Sequence, residues 1–398
     1  MPAKTAPLAI VGGGLSGLYA AYVLEQQGVQ GCVLLEARDS LGGRIVSAPA
    51  AGQPAPRPAT NKNPGTGSGS GAGIGTGTTD RVDLGPTWFW PEGQHQLARL
   101  VHDLGLQSFA QFDAGDTVVE PALPGLPARV RGCAQAPASV RLVGGMAALV
   151  EALHSRLQST RIHTGQAVRR LRVAADCVEI DSESQGADRG TATTTWRAEH
   201  VLLALPPRLV EHGIAFSPAL PPALALQWHA TATWMAPHAK YVAVYAAPFW
   251  RAQGLSGTAR SARGPLVEIH DACMPGGSAA LFGFVGVPAQ VRHRVSAEEV
   301  RAHCRAQLVR LFGSAAATPT DEHLQDWALD PFTATAADWH AGGGHLAAQV
   351  PAPGAACGPW HGRCTGIASE WSPQFPGYLA GAIEAASLGV EAVRARRG

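Results

Sequence analysis

The stretch that decides the fold is "LAIVGGGLSGLYAAYVLEQQGVQGCVLLE", Leu8 to Glu36. Its opening "LAIV" is a short apolar run that reads as a buried strand. Leu15 to Gln27 carries apolar residues at helical spacing, and Gly28 supplies a C-terminal stop. "CVLLE" is then a second strand, and the three pieces make a βαβ unit. Between strand and helix, Gly12, Gly14 and Gly17 fit G-x-G-x-x-G. In that context Gly12 allows a tight turn, Gly14 lets a pyrophosphate approach the helix N-terminus, and Gly17 lets helix and strand pack closely. Glu36 ends the second strand about 20 residues on, where a carboxylate holds the hydroxyls of a ribose. The residues that follow, "EARDSLGGR", add Arg38, Gly42, Gly43 and Arg44 as cofactor-binding candidates. Two adjacent glycines suggest backbone pressed against a ligand, and Arg44 offers a fixed charge and fork donors to a diphosphate. NAD and FAD both satisfy the pattern to this point.

Outward from that unit, the chain of 398 residues is long enough for two or three domains or one large two-part architecture. Its 31 basic and 30 acidic side chains leave a net charge of +1. This gives no general attraction to nucleic acid or acidic lipid and points to small-molecule partners. The 7 cysteines are an odd number without a C-x-x-C pair, and the 15 histidines contain no H-E-x-x-H, which argues against disulfide and metal scaffolds. "HAGGGH", with His340 and His345, reads as a glycine loop. "LAIV" is too short for a signal-peptide core or a membrane span, so no membrane anchor and a reduced, cytoplasmic setting are expected.

Residues 48–79 are almost entirely Gly, Pro, Ser, Thr and Ala and cannot bury enough surface to order themselves. Apolar segments flank them, so they read as a disordered tip within a sheet connection. "GGMAALVEALHSRL" has helical spacing, while "AVRRLRVAADCVEID" and "TWRAEHVLLALPP" read as strands joined by a polar loop from Ser182 to Thr195. From Ala215 the texture changes to strands "KYVAVYAA" and "AALFGFVGV" and an amphipathic helix from Ala297 to Phe312. A strand, an aromatic loop and a helix close the sequence and are expected to rejoin the first sheet. The expected fold is α/β: a Rossmann-like dinucleotide-binding domain from 1–88, 142–214 and 340–398, and a second, α+β substrate domain from 89–141 and 215–339.

"HAKYVAVYAAPFW", residues 238–250, is a strand with apolar residues on both faces, yet Lys240 shares a face with Val242 and Val244. A buried ammonium is costly unless paired, hydrated or neutral. From the residues alone two readings stand: a stem that packs while its head snorkels to water, or a lysine with a task.

With the glycine motif, Glu36 and G-G-R in place, the sequence resembles the flavin-containing monoamine oxidases, a family that also takes in polyamine oxidases, amino-acid oxidases and histone demethylases. The resemblance extends, with gaps, over nearly the whole chain. "DLGPTWFW" looks like the family's aspartate-x-glycine-x-x-tryptophan loop, and "VLLALPP" resembles its strand leading to paired prolines. In "KYVAVYAAPFW", Lys240 falls on the family's lysine, which implies a residue that holds a water beside flavin N5 where oxygen reacts. "ASEWSPQFPGYLAGAIEAA" resembles the closing motif: Glu370 matches an acid that contacts the ribityl chain, Trp371 is a further cofactor-side candidate, and Tyr378 matches a tyrosine of the substrate cage. The segment similar to the covalent attachment loop, "WALDPFTATAADW", contains no cysteine, which implies FAD bound without a covalent link. Only half of the aromatic cage is assigned, with Phe332 and Trp339 as candidates for the other half.

The resemblance implies an enzyme that takes hydride from the carbon beside a neutral amine, giving an imine that water hydrolyses, while oxygen is reduced to peroxide. Lys240 and Tyr378 are its catalytic candidates. The alternatives are a desaturase or oxidase of an apolar C–C bond and a flavin-binding protein without turnover. Primary amines, polyamines and amino acids all stay open; simple amines rank first because no arginine is placed to hold a substrate carboxylate.

Overall fold

The structure is a computed structural model that describes residues 3–50, 79–123, 125–132, 136–185, 191–340 and 350–397. The tip of the low-complexity segment and His345 lie outside the described residues. The βαβ unit is present as Lys4–Val11, Leu15–Gln26 and Val33–Leu35. The first strand begins earlier than "LAIV" because its polar start pairs with a long neighbour: Lys4 is in register with Trp196, and its Nζ lies 4.7 Å from that ring. Gly28, at φ +81°, ends the helix as expected.

These elements belong to an eight-stranded sheet ordered Ala215–Ser217, Ala167–Val173, Val178–Gln185, Thr191–Leu203, Lys4–Val11, Val33–Leu35 and Arg161–His163, with Cys364–Gly366 also paired to Thr191–Leu203. The period of two sorts the central strands between two cores. Leu8, Ile10, Leu34 and Leu202 face Leu18 and Ile383, whereas Ala9, Val11, Val33 and Leu203 face Trp196 and Trp228. The helix Leu379–Arg397 packs on Leu15–Gln26, so the closing segment does return to the first sheet.

A seven-stranded sheet carries Lys240. Its order is Asp321–Asp326, Ala239–Tyr245, Ala279–Val285, Leu266–Asp271, Leu255–Ser261, Asp116–Glu120 and Ala128–Val130. The helix Ala297–Phe312 covers it through Cys304, Leu308 and Phe312 against Tyr241 and Tyr245. Ser296 caps that helix by accepting from the Glu299 N–H, and Gly313 ends it at φ +94°.

Three expectations need correction. The polar segment Ser182 to Thr195 is mostly ladder: antiparallel pairing runs from Val178 opposite Ala198 to Gln185 opposite Thr191. A ribbon of Ser, Thr and Glu needs backbone pairing rather than burial, so polarity alone does not make it a loop. Residues 48–50 are ordered, because Ser47–Pro49 pairs with Arg81–Asp83 and the Ala50 N–H donates to Asp80. The second unit does not begin at Ala215 or hold all of 89–141: Ala215–Ser217 pairs with Ala167–Val173, Trp228 fills a core of the first sheet, and Phe89, Leu97 and Leu100 fill its other core. Apolar residues in these segments reach partners distant in sequence, which local texture does not reveal.

Candidate active site

The glycine turn is built by close approach. A Cβ at Gly17 would stand 2.0 Å from the Gly12 carbonyl oxygen, so helix and turn can meet only at a glycine. Gly14 precedes the helix and bridges to Gly42, and a Cβ added there would find no atom closer than 3.9 Å. Gly43, at φ +60°, lies against Gly14. Gly12, Gly14, Gly42 and Gly43 therefore expose backbone to a shared cavity of about 570 Å³.

Glu36 is buried at the end of Val33–Leu35 and lines that cavity. Its Oε2 accepts from the Gly13 N–H at 2.6 Å and its Oε1 from the Arg38 N–H at 2.8 Å. A carboxylate accepts about four hydrogen bonds, so two positions stay open to a ribose. Arg38 is held by Asp330 at 2.7 Å and Thr333 at 3.0 Å and lies over Phe332, 5.4 Å from its centroid. Arg44 donates to both carboxylate oxygens of buried Glu370, at 2.7 and 3.2 Å, and to the Trp234 carbonyl at 3.2 Å. The conformational freedom of the glycines, the open acceptor positions of Glu36 and the held charge of Arg44 together fit a dinucleotide.

The same cavity reaches Lys240. Its Nζ is buried, donates to the Gly85 carbonyl at 3.0 Å and to the Thr87 hydroxyl, and lies 4.0 Å from the centroid of Phe282. Burial pushes its pKa down to about 7, a fall that nearby Asp83 opposes and Arg141 deepens. The lysine is thus not a snorkelling stem: its head stays inside. Across the sheet Lys240 is in register with Phe284, which is in register with Glu268, and all three line the cavity. Glu268 accepts a hydrogen bond from His270 at 2.9 Å; that bond first, then the charges of His270 and Arg260, hold its carboxyl below the usual range against the effect of burial.

Tyr378 lies in the wall with Trp234 4.4 Å and Trp90 6.0 Å away between ring centroids. Trp88 is a further wall, fixed by donation to Gln111 at 2.7 Å. Of the two candidates for the other half of the cage, Phe332 lines the cavity, but Trp339 packs on His293 and donates to the Ala328 carbonyl. Trp234 is the aromatic that sequence reasoning missed; it stands just upstream of the lysine strand and carried no periodic signal. Trp371 needs correction. Its ring lies in the core against Trp228, and its N–H donates to the Ala352 carbonyl at 3.2 Å, so it supports Ser369 and Glu370 from behind rather than lining the cavity. Glu370 likewise acts on the cavity through Arg44. No group of His, Cys, Asp and Glu suited to a metal occurs among the described residues.

The βαβ turn, its acid and the cavity beyond define a dinucleotide-binding protein, and the model of the NAD(P)-binding Rossmann-like domain matches residues 10–104. The chain belongs to the flavin containing amine oxidoreductases, whose family model matches residues 128–394. A flavin cofactor in a dinucleotide fold is FAD. Putrescine oxidase of Kocuria rosea is 31% identical over 258 residues, 60% of this chain and 50% of that protein. The matched region thus spans about half the length of such curated relatives. Among solved structures, a wild-type putrescine oxidase bound to putrescine superposes with a TM-score of 0.73 at 19% identity over 99% of this chain and 100% of the other. Cyclohexylamine oxidase from Brevibacterium oxydans gives 0.75 at 20% identity over 98% and 99%. These likenesses establish the fold as Rossmann-like with a second mixed unit.

Proposed function

We propose that the chain oxidises an amine to an imine, which water hydrolyses to a carbonyl product, with noncovalent FAD as the first electron acceptor and oxygen reduced to hydrogen peroxide. The observation that carries this reading is a single cavity lined at one end by Gly14, Glu36 and Arg44 and reaching Lys240 and Tyr378. Bound FAD supplies the hydride acceptor. The protein does the rest by placement. Glu36 offers acceptors to ribose, and Arg44, held by Glu370, presents charge to the diphosphate. Trp234 and Tyr378 give flat apolar walls that orient a neutral amine. Lys240 Nζ holds or releases a proton near neutral pH and supports charge that develops beside it. No cysteine is among the described lining residues, in keeping with a noncovalent cofactor.

The row Lys240, Phe284, Glu268 favours a diamine over a simple amine. Two strand spacings separate the ends of the row, roughly 10 Å between backbones. A carboxylate there is placed for a second ammonium group while the first amine reacts nearer Lys240. The name of the Kocuria relative, a putrescine oxidase, supports the same choice. A cytoplasmic setting completes the reading, on the odd cysteine count.

Anaerobic mixing of the yellow protein with a panel of monoamines, diamines and amino acids tests the proposal. Bleaching by diamines, followed by peroxide and ammonia release in air, is the expected result. Retained FAD that no amine bleaches would leave a C–C oxidase or a binding protein.

A further inference from the structure

His238 stands two residues before Lys240, at the entry to the same strand, and also lines the cavity. Its Nδ1 is buried and has no hydrogen-bond partner among the described residues. Leaving a buried ring nitrogen in this way is costly, so such groups are rare without a ligand or water to meet them. Burial, then the charge of Arg292, lowers its pKa against the opposing effect of the Met235 backbone. A neutral imidazole carries one donor and one acceptor nitrogen.

The backbone around it is held on several sides. Arg44 bonds the Trp234 carbonyl, Arg292 the Pro237 carbonyl at 2.8 Å, and the His238 N–H donates to Met235 at 3.1 Å. Met235 sits at φ +63°, a conformation that a residue with a side chain keeps only where its surroundings impose it. This segment runs from Arg44, at the dinucleotide end of the cavity, to Lys240. Trp234, Met235 and His238 line the same cavity as the glycine turn and Lys240.

The geometry points to His238 as a polar contact to the flavin, its Nδ1 meeting a heteroatom of the cofactor and fixing the ring relative to Lys240. This inference rests on the flavin reading above and makes His238 a positioning residue. Its role differs from those of Glu36 and Arg44, which hold the nucleotide end.

The test compares His238→Gln, which keeps a donor and an acceptor, with His238→Met, which keeps bulk but has neither. FAD affinity is measured by fluorescence titration of protein stripped of cofactor, and the visible absorption bands are recorded on the reloaded protein. His238→Met is expected to weaken FAD binding by about tenfold, the loss of one hydrogen bond near 1.4 kcal/mol, and to shift the visible bands. His238→Gln is expected to recover most of both. Parent-like affinity and spectrum in both variants would overturn the inference, as would equal impairment in both, which marks a packing role. Neither readout involves an amine. A parent that binds no FAD would instead sink the flavin reading itself.

Discussion

Arg44 and Glu370 are 326 positions apart in sequence, yet they meet through two parallel hydrogen bonds of 2.7 and 3.2 Å. Glu370 is buried, while a quarter of the Arg44 side chain is exposed toward the cavity. The pair joins the loop after the second strand to the closing segment, and it holds a charge at the cavity wall. Glu370→Gln removes the anion and leaves Arg44 half-buried. With discount for the exposed side, the loss should be about 2–3 kcal/mol. Thermal melting of the holoprotein should fall by about 2–4 °C, with weaker retention of FAD. An unchanged midpoint would mean that Ser369 and the Trp234 carbonyl suffice to hold the arginine.

Lys240 gives stability a defined pH dependence. Its folded pKa near 7 lies below the ordinary 10.5 that it regains on unfolding. Between those values the unfolded chain binds the proton and the folded chain does not, so stability rises with pH across the window. Below pH 7 both states are protonated and the contribution is flat. The slope is at most about 1.4 kcal/mol per pH unit. Urea unfolding of parent and Lys240→Met from pH 7 to 10 should show the parent gaining on the variant. Parallel curves would place the lysine head in water.

The same Lys240→Met variant separates the two half-reactions. Met keeps most of the stem and deletes the charge beside Thr87. Reduction by amine is expected to change little, while reoxidation by oxygen slows about 10- to 1,000-fold through loss of one electrostatic stabiliser. Stopped-flow traces at matched FAD content measure both. Equal reoxidation rates would remove Lys240 from the oxygen step.

Glu268→Gln tests the second-cation reading. Loss of one charge-assisted contact, about 1.5–3 kcal/mol, should raise KM for a diamine by about 10- to 100-fold and leave a monoamine nearly unaffected. Steady-state assays with a matched pair of amines decide the matter. An equal effect on both would reduce Glu268 to a support for His270.

Residues 51–78 should be replaceable by a short Gly-Ser link. Pro49 and Arg81 are already paired, so a short connection can close the hairpin. The entropy of loop closure changes only slowly with length. Flavin content and melting temperature should stay near the parent values; a large fall in either would show that the segment contributes to the fold.

The glycine-turn end of the cavity was legible because its determinants are local. Gly12, Gly14, Gly17 and Glu36 lie within one βαβ unit, and their spacing has a steric and electrostatic meaning before any tertiary contact is known. Lys240 was legible as an anomaly, since a charge in an apolar strand violates its surroundings. Trp234, His238 and Glu268 were not. Each joins the cavity because separate strands or turns converge there, and nothing in its own neighbourhood distinguishes it from packing. Trp371 failed for the opposite reason: it sits inside an informative motif but faces the core.

The packing of Leu379–Arg397 on Leu15–Gln26 also bears on biosynthesis. The glycine turn leaves the ribosome well ahead of Cys364–Gly366, Glu370 and Tyr378, which follow more than three hundred residues later. A nascent chain halted before residue 364 has the turn and Glu36, but lacks the Glu370 carboxylate that binds Arg44, the strand Cys364–Gly366 on the open side of Val201–Leu203 and the helix Leu379–Arg397 that packs on Leu15–Gln26. Translation products halted before residue 364 are therefore expected to emerge colourless, and those that include Leu379–Arg397 to take up flavin.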